Sequence, residues 1–187
     1  KYLDIPIQHC NDGILKAMNR RYTSAQYLEE IKMLRSRLPG AEVTTDIIVG
    51  FPGETEEDYL ATEELVKKAD FASAFTFVYS PRTGTKAAAM ENQVPEEVQK
   101  DRIMRLVELV NSLTRKKSEK YVGTTAEILC EDYDEKKGLY LGRDEFGRMG
   151  YFKSEENLVG RFVNLKITQA NGISLYGELA DKNHKEI

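Results

Sequence analysis

Apolar residues recur along this chain at two different spacings, and the change from one to the other divides it. In the first two thirds, short β-branched runs are each followed by a stretch with the three-to-four-residue period of a helix. Leu3 to Gln8 predicts a strand, after which Asn11 or Asp12 can cap a short helix, Gly13 to Asn19, with Ile14, Leu15 and Met18 on one stripe. Thr23 or Ser24 caps a second helix carrying Tyr27, Leu28, Ile31, Leu34 and Leu38, and Pro39-Gly40 ends it. Val43 to Val49 reads as a buried strand. Thr55 and Asp58 then form a capping box for a helix to about Lys68. Phe71 to Tyr79 is the next strand, and Val94-Pro95-Glu96-Glu97 opens the longest helix, which ends in Arg115-Lys116-Lys117.

Alternating strands and helices with short connections predict an α/β architecture, a parallel sheet covered by helices. Three strands are visible where a complete barrel takes about 250 residues. The expectation is the C-terminal part of a partial (β/α) barrel, its first strands lying outside the chain. From about Tyr121 the pattern changes to short strands separated by glycines: Thr124 to Cys130, Leu139 to Arg143, Arg148 to Phe152, Phe162 to Thr168 and Ser174 to Leu179. Five such strands predict a small five-stranded antiparallel OB-like β-barrel. The predicted domains are therefore residues 1–120 and 121–187, with the polar tail Asp181 to Ile187 frayed.

The composition narrows the class. Of 187 residues, 41% are apolar and 31% charged, with 27 Lys plus Arg against 31 Asp plus Glu, so the chain can build a core and is not a disordered tail. No apolar run approaches the roughly 20 residues of a membrane span, and no secretory leader opens the chain. The two cysteines, Cys10 and Cys130, are too far apart for a CxxC pair or a zinc knuckle and do not resemble a secreted disulfide framework, which predicts a reduced, cytoplasmic protein. His9 has no partner at ligand spacing, and His184 sits in the tail. No metal ligand and no catalytic residue is assigned. The chain opens on Lys1 rather than Met and reads as a fragment.

The sharpest chemical feature is Asp46-Ile47-Ile48-Val49-Gly50-Phe51-Pro52-Gly53-Glu54-Thr55, a buried strand running through a Gly-Pro-Gly turn into a capped helix. Ligands in parallel sheets sit at the carboxyl ends of strands, where Gly50 and Gly53 would let backbone approach a ligand; a plain βα turn accounts for the spacing equally well. Gln8 and Asp46 are polar residues on strands that otherwise read as buried, and Arg20 closes the first helix over the same edge. Together they could hold a small zwitterion, or Arg20 and Asp46 could pair with each other. Tyr79 and Arg82 stand on a loop at this edge, suited to stacking on a base and pairing with a phosphate. The barrel region carries 9 Lys plus Arg against 12 Asp plus Glu, so RNA binding there needs a local patch. Arg143, Arg148, Phe152, Lys153 and Arg161 are its candidates, extended by Arg115-Lys116-Lys117; a solvated charged face is the alternative.

Several ordered segments carry a family resemblance: Asp4 to His9, Met18 to Thr23, Thr45 to Thr55, Phe75 to Thr85, Val94 to Val98 and Ser174 to Leu179. Together they resemble the radical S-adenosylmethionine methylthiotransferases, in the branch that methylthiolates isopentenyl-adenosine beside the tRNA anticodon. The resemblance implies a partial βα barrel holding S-adenosylmethionine on a four-iron cluster, a second 4Fe-4S cluster on a further domain, and a C-terminal RNA-binding TRAM domain. It implies that Gln8, Arg20, Asp46 and Gly50 bind S-adenosylmethionine, and that the tRNA anticodon stem-loop is the partner. The implied chemistry is reductive cleavage to a 5′-deoxyadenosyl radical, hydrogen abstraction from C2 of the adenine and insertion of a methylthio group. Sister branches act on threonylcarbamoyl-adenosine or on a ribosomal-protein aspartate; a non-catalytic RNA-binding module is a reading of another class. The chain departs from the family in lacking any CxxxCxxC, so by itself it is expected to be inactive. A half-barrel with an open sheet edge is also expected to pair as a homodimer.

Overall fold

The computed structural model describes residues 1–180 and the backbone of 185–186, so most of the tail expected to fray, His184 included, lies outside the described residues. Two compact units divide the chain, Leu3–Ser112 and Leu113–Ile187, the latter with Lys1–Tyr2.

In the first unit, β1 (Tyr2–Asp4), β2 (Glu42–Val49) and β3 (Ser73–Val78) form a three-stranded sheet in that order, with β2 and β3 parallel. The helices are α1 (Asp12–Ala17), α2 (Ser24–Arg37), α3 (Glu56–Ala69) and α4 (Glu96–Ser118). Their starts follow from local chemistry. Asn11 caps α1, and Thr23 and Thr55 each close a full capping box, with Gln26 and Asp58 respectively. The strand expected over Leu3 to Gln8 is shorter. It breaks at Pro6, and Gln8 rejoins the sheet as a single parallel bridge to Ile47.

Alternation on β2 sorts its side chains between two faces. Thr45, Ile47 and Val49 are fully buried, and Tyr27 of α2 reaches Thr45 and the Ile5 carbonyl through its hydroxyl. Asp46 and Ile48 point to the opposite face, where their register partners Phe75 and Phe77 remain about half exposed. One side of the sheet is thus packed under helices and the other is open.

The second unit contains β4 (Thr125–Asp134), β5 (Leu139–Arg143), β6 (Met149–Phe152), β7 (Arg161–Asn171), β8 (Ser174–Leu179) and the short β9 (Lys185–Glu186). The order β4-β5-β6-β8-β7, closed by pairing of β7 with β4, is a five-stranded barrel; β9 pairs antiparallel with the start of β7 at Arg161 and Phe162. The expectation of an all-antiparallel barrel is corrected at one seam, since β6 and β8 run parallel. The cause is the β7–β8 hairpin, which returns β8 between β7 and β6 in the direction of β6. Ile128, Cys130, Phe152, Leu158, Val163, Leu165, Ile167 and Leu175 fill the interior, each large side chain contributing about 1.5–3 kcal/mol on burial.

Candidate functional site

The open face of the three-stranded sheet floors a cleft of about 1030 Å³ lined by Gln8, Arg20, Asp46, Ile48, Phe77, Tyr79 and Arg82, among others. Three of the four residues assigned to a cofactor, and Tyr79 and Arg82 of the six assigned to substrate or RNA, therefore share one cavity.

Local structure explains each placement. Gln8 is 7% exposed and adopts φ +68, a conformation an unbranched residue takes only under constraint. Its backbone is held by N–H donation to the Asp46 carbonyl at 2.9 Å and by accepting from Ile48 at 2.8 Å. Asn19, also at positive φ, turns the chain out of α1 so that Arg20 follows it onto the rim, its N–H donating to the Leu15 carbonyl at 2.8 Å. Burial, and then the carboxylate of Asp4, push Asp46 above the usual carboxylate range. No hydrogen bond or ion pair ties the side chains of Gln8, Arg20 and Asp46 to any described residue, so the internal Arg20–Asp46 pair is not formed. Tyr79 packs edge-on against Phe51 at 5.1 Å, and its hydroxyl is buried with no partner.

Gly50 is corrected. Its N–H donates to Glu54 Oε2 at 2.8 Å and its carbonyl accepts from Gln99 Nε2 at 3.1 Å, so neither group is offered to a ligand. The positive φ of +75 does require glycine, but the close neighbour is Gln99, whose Cγ would lie 2.5 Å from an added Cβ. Gly53 is similar, with Asn92 Nδ2 2.6 Å from an added Cβ. The Gly-Pro-Gly turn thus admits this chain's own side chains.

Sequence reasoning missed what holds this edge together. Glu54, its side chain fully buried, accepts from Gly50 N–H, from His9 Nε2 at 3.1 Å and from Arg102 Nη1 at 2.8 Å. His9 Nδ1 accepts the Asn11 N–H at 2.9 Å, which fixes the proton on Nε2. Arg102 continues to Glu56, and Glu56 to Arg105, whose guanidinium holds the Glu56 carboxyl below its usual range. The segment bearing Gln8 and His9, the turn ending the Asp46 strand and α4 are therefore joined by one charge network centred on the buried Glu54. Spacing gave no signal for it, because its members lie far apart in the chain.

The barrel candidates do not form one basic patch. Phe152 is corrected: at 1% exposure it is core, stacked on Tyr140 at 5.8 Å, and offers no ring to a ligand. Arg148 is largely buried, ion-paired to Asp144 at 2.6 Å and lying 3.8 Å from the Tyr121 ring centroid, so it braces the barrel. Arg143 is exposed but its Nη1 donates to both carboxylate oxygens of Glu131, and Lys153 is exposed. Arg143 and Arg148 border a second cavity of about 690 Å³ together with Glu127, Glu131, Asp144 and Glu145, so its lining is net acidic.

Among the described residues, no group of three or more His, Cys, Asp or Glu side chains is placed to hold a metal. Cys130 lies in the barrel core and Cys10 in the other unit. The residues present therefore do not fit an iron–sulfur cluster, which needs a set of cysteine thiolates.

Comparison with known proteins gives matches at both ends of the chain. Residues 1–66 match the Radical SAM superfamily and residues 119–180 the TRAM domain. The chain is 44% identical over 179 residues, 96% of its length, to a tRNA-2-methylthio-N(6)-dimethylallyladenosine synthase of Caldicellulosiruptor saccharolyticus, of which it covers 38%. It is 46% identical over 178 residues to the protein of that name in Clostridium beijerinckii, covering 95% of this chain and 39% of the relative. A Thermoanaerobacter protein of the same name is 42% identical over 182 residues, 97% of this chain and 39% of the relative. The chain spans about two fifths of the length of these relatives.

Proposed function

We propose that this chain, a homologue of the tRNA-2-methylthio-N(6)-dimethylallyladenosine synthases with a radical SAM segment followed by a TRAM domain, is part of an enzyme that inserts a methylthio group at C2 of N6-isopentenyl-adenosine in tRNA. Residues 1–120 are read as the C-terminal part of its radical SAM core and residues 121–187 as its TRAM domain.

The observation that carries this reading is the cleft: Gln8, Arg20 and Asp46 share it, and no described residue hydrogen-bonds or ion-pairs with their side chains. Gln8 and Asp46 on the cleft floor, with the exposed Arg20 on its rim, present solvent-accessible polar groups that a polar ligand can engage. S-adenosylmethionine bound there would supply the radical chemistry, and the chain's own residues hold its polar ends. Arg20 takes the carboxylate through its planar fork, the Gln8 amide takes ribose hydroxyls, and Asp46 accepts from a further donor such as the amino group. The clusters are held by residues other than these, so activity belongs to the longer protein.

Lys16, Arg20, Arg82 and Lys86 line the cleft against one lining carboxylate, Asp46, although the chain is net acidic. This excess of cations supports an entering RNA strand, with Arg82 on phosphate and Tyr79 beside the base of the anticodon stem-loop. A cytoplasmic setting is read from the likeness to tRNA-modifying enzymes; no helix of the described residues is long and apolar enough to cross a membrane. The exposed Phe75 and Phe77 support pairing of two copies when the chain is isolated.

Nucleoside mass spectrometry of tRNA tests the activity. A strain lacking the gene is expected to lose the 2-methylthio form and accumulate isopentenyl-adenosine, with the full-length gene restoring it and its Asp46→Asn form not. Loss of a methylthiolated threonylcarbamoyl-adenosine or ribosomal aspartate instead would move the substrate to a sister branch, and no change in any of them would refute the enzyme reading.

A further inference from the structure

The barrel presents a surface that its cationic residues alone did not reveal. β6 alternates buried Gly150 and Phe152 with outward Met149 and Tyr151, and on β8 buried Leu175 is followed by outward Tyr176. The parallel seam sets Tyr151 directly beside Tyr176. Their rings stack, with centroids 5.1 Å apart and planes 18° from parallel. Neither belongs to the apolar cluster that fills the barrel. Leu141 of β5, the register partner of Tyr151, extends the same row on one side.

Cations border this pair. Lys137 Nζ lies 5.4 Å from the Tyr151 ring centroid, and its ion pair with Asp134 is solvent-exposed, so it exchanges easily. Lys153 follows two residues after Tyr151, and Lys166 faces Glu178, two residues after Tyr176; both lysines are exposed. Two adjacent rings with lysines at the margin match the needs of a nucleic acid, whose bases stack and whose phosphates pair with cations. The barrel region is net acidic, so long-range attraction is weak and stacking must carry the affinity. Stacking demands unpaired bases, which selects a loop over a duplex.

We propose that Tyr151 and Tyr176 are the platform on which the barrel receives unpaired RNA bases, with Lys137, Lys153 and Lys166 on the adjoining phosphates. The assignment rests on the reading of the chain as part of a tRNA-modifying enzyme and replaces Phe152 as the aromatic contact.

Fluorescence anisotropy with the full-length protein and a labelled anticodon stem-loop RNA tests it. Tyr151→Ala and Tyr176→Ala are each expected to weaken binding about 5- to 100-fold without changing the salt slope. Tyr151→Phe keeps the ring and is expected to bind within about twofold of the parent, while Lys166→Ala lowers the slope of log affinity against log salt by about 0.7. Melting curves matching the parent would show that the barrel is intact. Stem-loop binding by the parent that both alanine variants retain in full, or an equal loss on a blunt duplex of the same length, overturns the platform and leaves the enzyme reading standing. A parent protein with no affinity for the stem-loop overturns both.

Discussion

Glu54 is the residue on which the cleft's edge most depends, and Glu54→Ala measures that dependence. Its side chain is fully buried and holds three donors: the Gly50 amide, His9 Nε2 and the guanidinium of Arg102, itself only 5% exposed. Deleting the carboxylate leaves a buried cation short of its principal partner, a change that costs about 3–5 kcal/mol in general. Arg102 keeps Glu56 at 3.2 Å, and Glu56 is 47% exposed, so the loss should fall near the lower end, about 3 kcal/mol. Glu54→Gln keeps an acceptor for Gly50 and loses the charge, with an expected cost of about 1–3 kcal/mol. Urea unfolding followed by circular dichroism at 222 nm reads this unit, because all four α-helices begin within it. A loss below about 1 kcal/mol for Glu54→Ala, at unchanged denaturant slope, would refute the claim that the network fixes the fold of this edge.

Other consequences follow from burial and charge. Asp46 has its pKa raised by burial and then by Asp4, so it binds its proton more tightly folded than unfolded and its ionised form costs stability as pH rises through the carboxylate range. Asp46→Asn is therefore expected to raise the melting temperature at pH 7, with the gain disappearing below about pH 4, and an equal gain at both pH values would contradict this. Cys130 is 1% exposed and its thiol is pushed up to about 11 by burial, whereas Cys10 is partly exposed. Iodoacetamide at pH 8 should alkylate Cys10 alone in the folded protein and both thiols in urea; labelling of Cys130 first would show the barrel opening.

Much of this architecture is legible in the residues because its signals are local. Asn11, Thr23 and Thr55 start their helices where side-chain capping predicts, and the β-branched run of β2 is buried on schedule. Gln8, Arg20 and Asp46 were recognisable as polar groups on apolar elements, and they share one cavity. What was not legible depends on contacts between distant segments. Gly50 looked like a ligand-facing glycine because a sequence cannot tell a cofactor from Gln99 as the group that crowds it. Phe152 and Tyr151 are adjacent aromatic residues, and only the strand register decides which one turns into the core. The parallel seam between β6 and β8 follows from where the β7–β8 hairpin lies in the barrel, which no local pattern encodes.

Titration of S-adenosylmethionine into the full-length protein tests the assignment of the cleft most directly. Each of these polar groups should contribute one charge-assisted or neutral hydrogen bond, so Arg20→Ala and Asp46→Asn are expected to weaken binding about tenfold or more, and Gln8→Ala less, at matched melting temperatures. Parent affinity retained in both Arg20→Ala and Asp46→Asn would contradict the assignment.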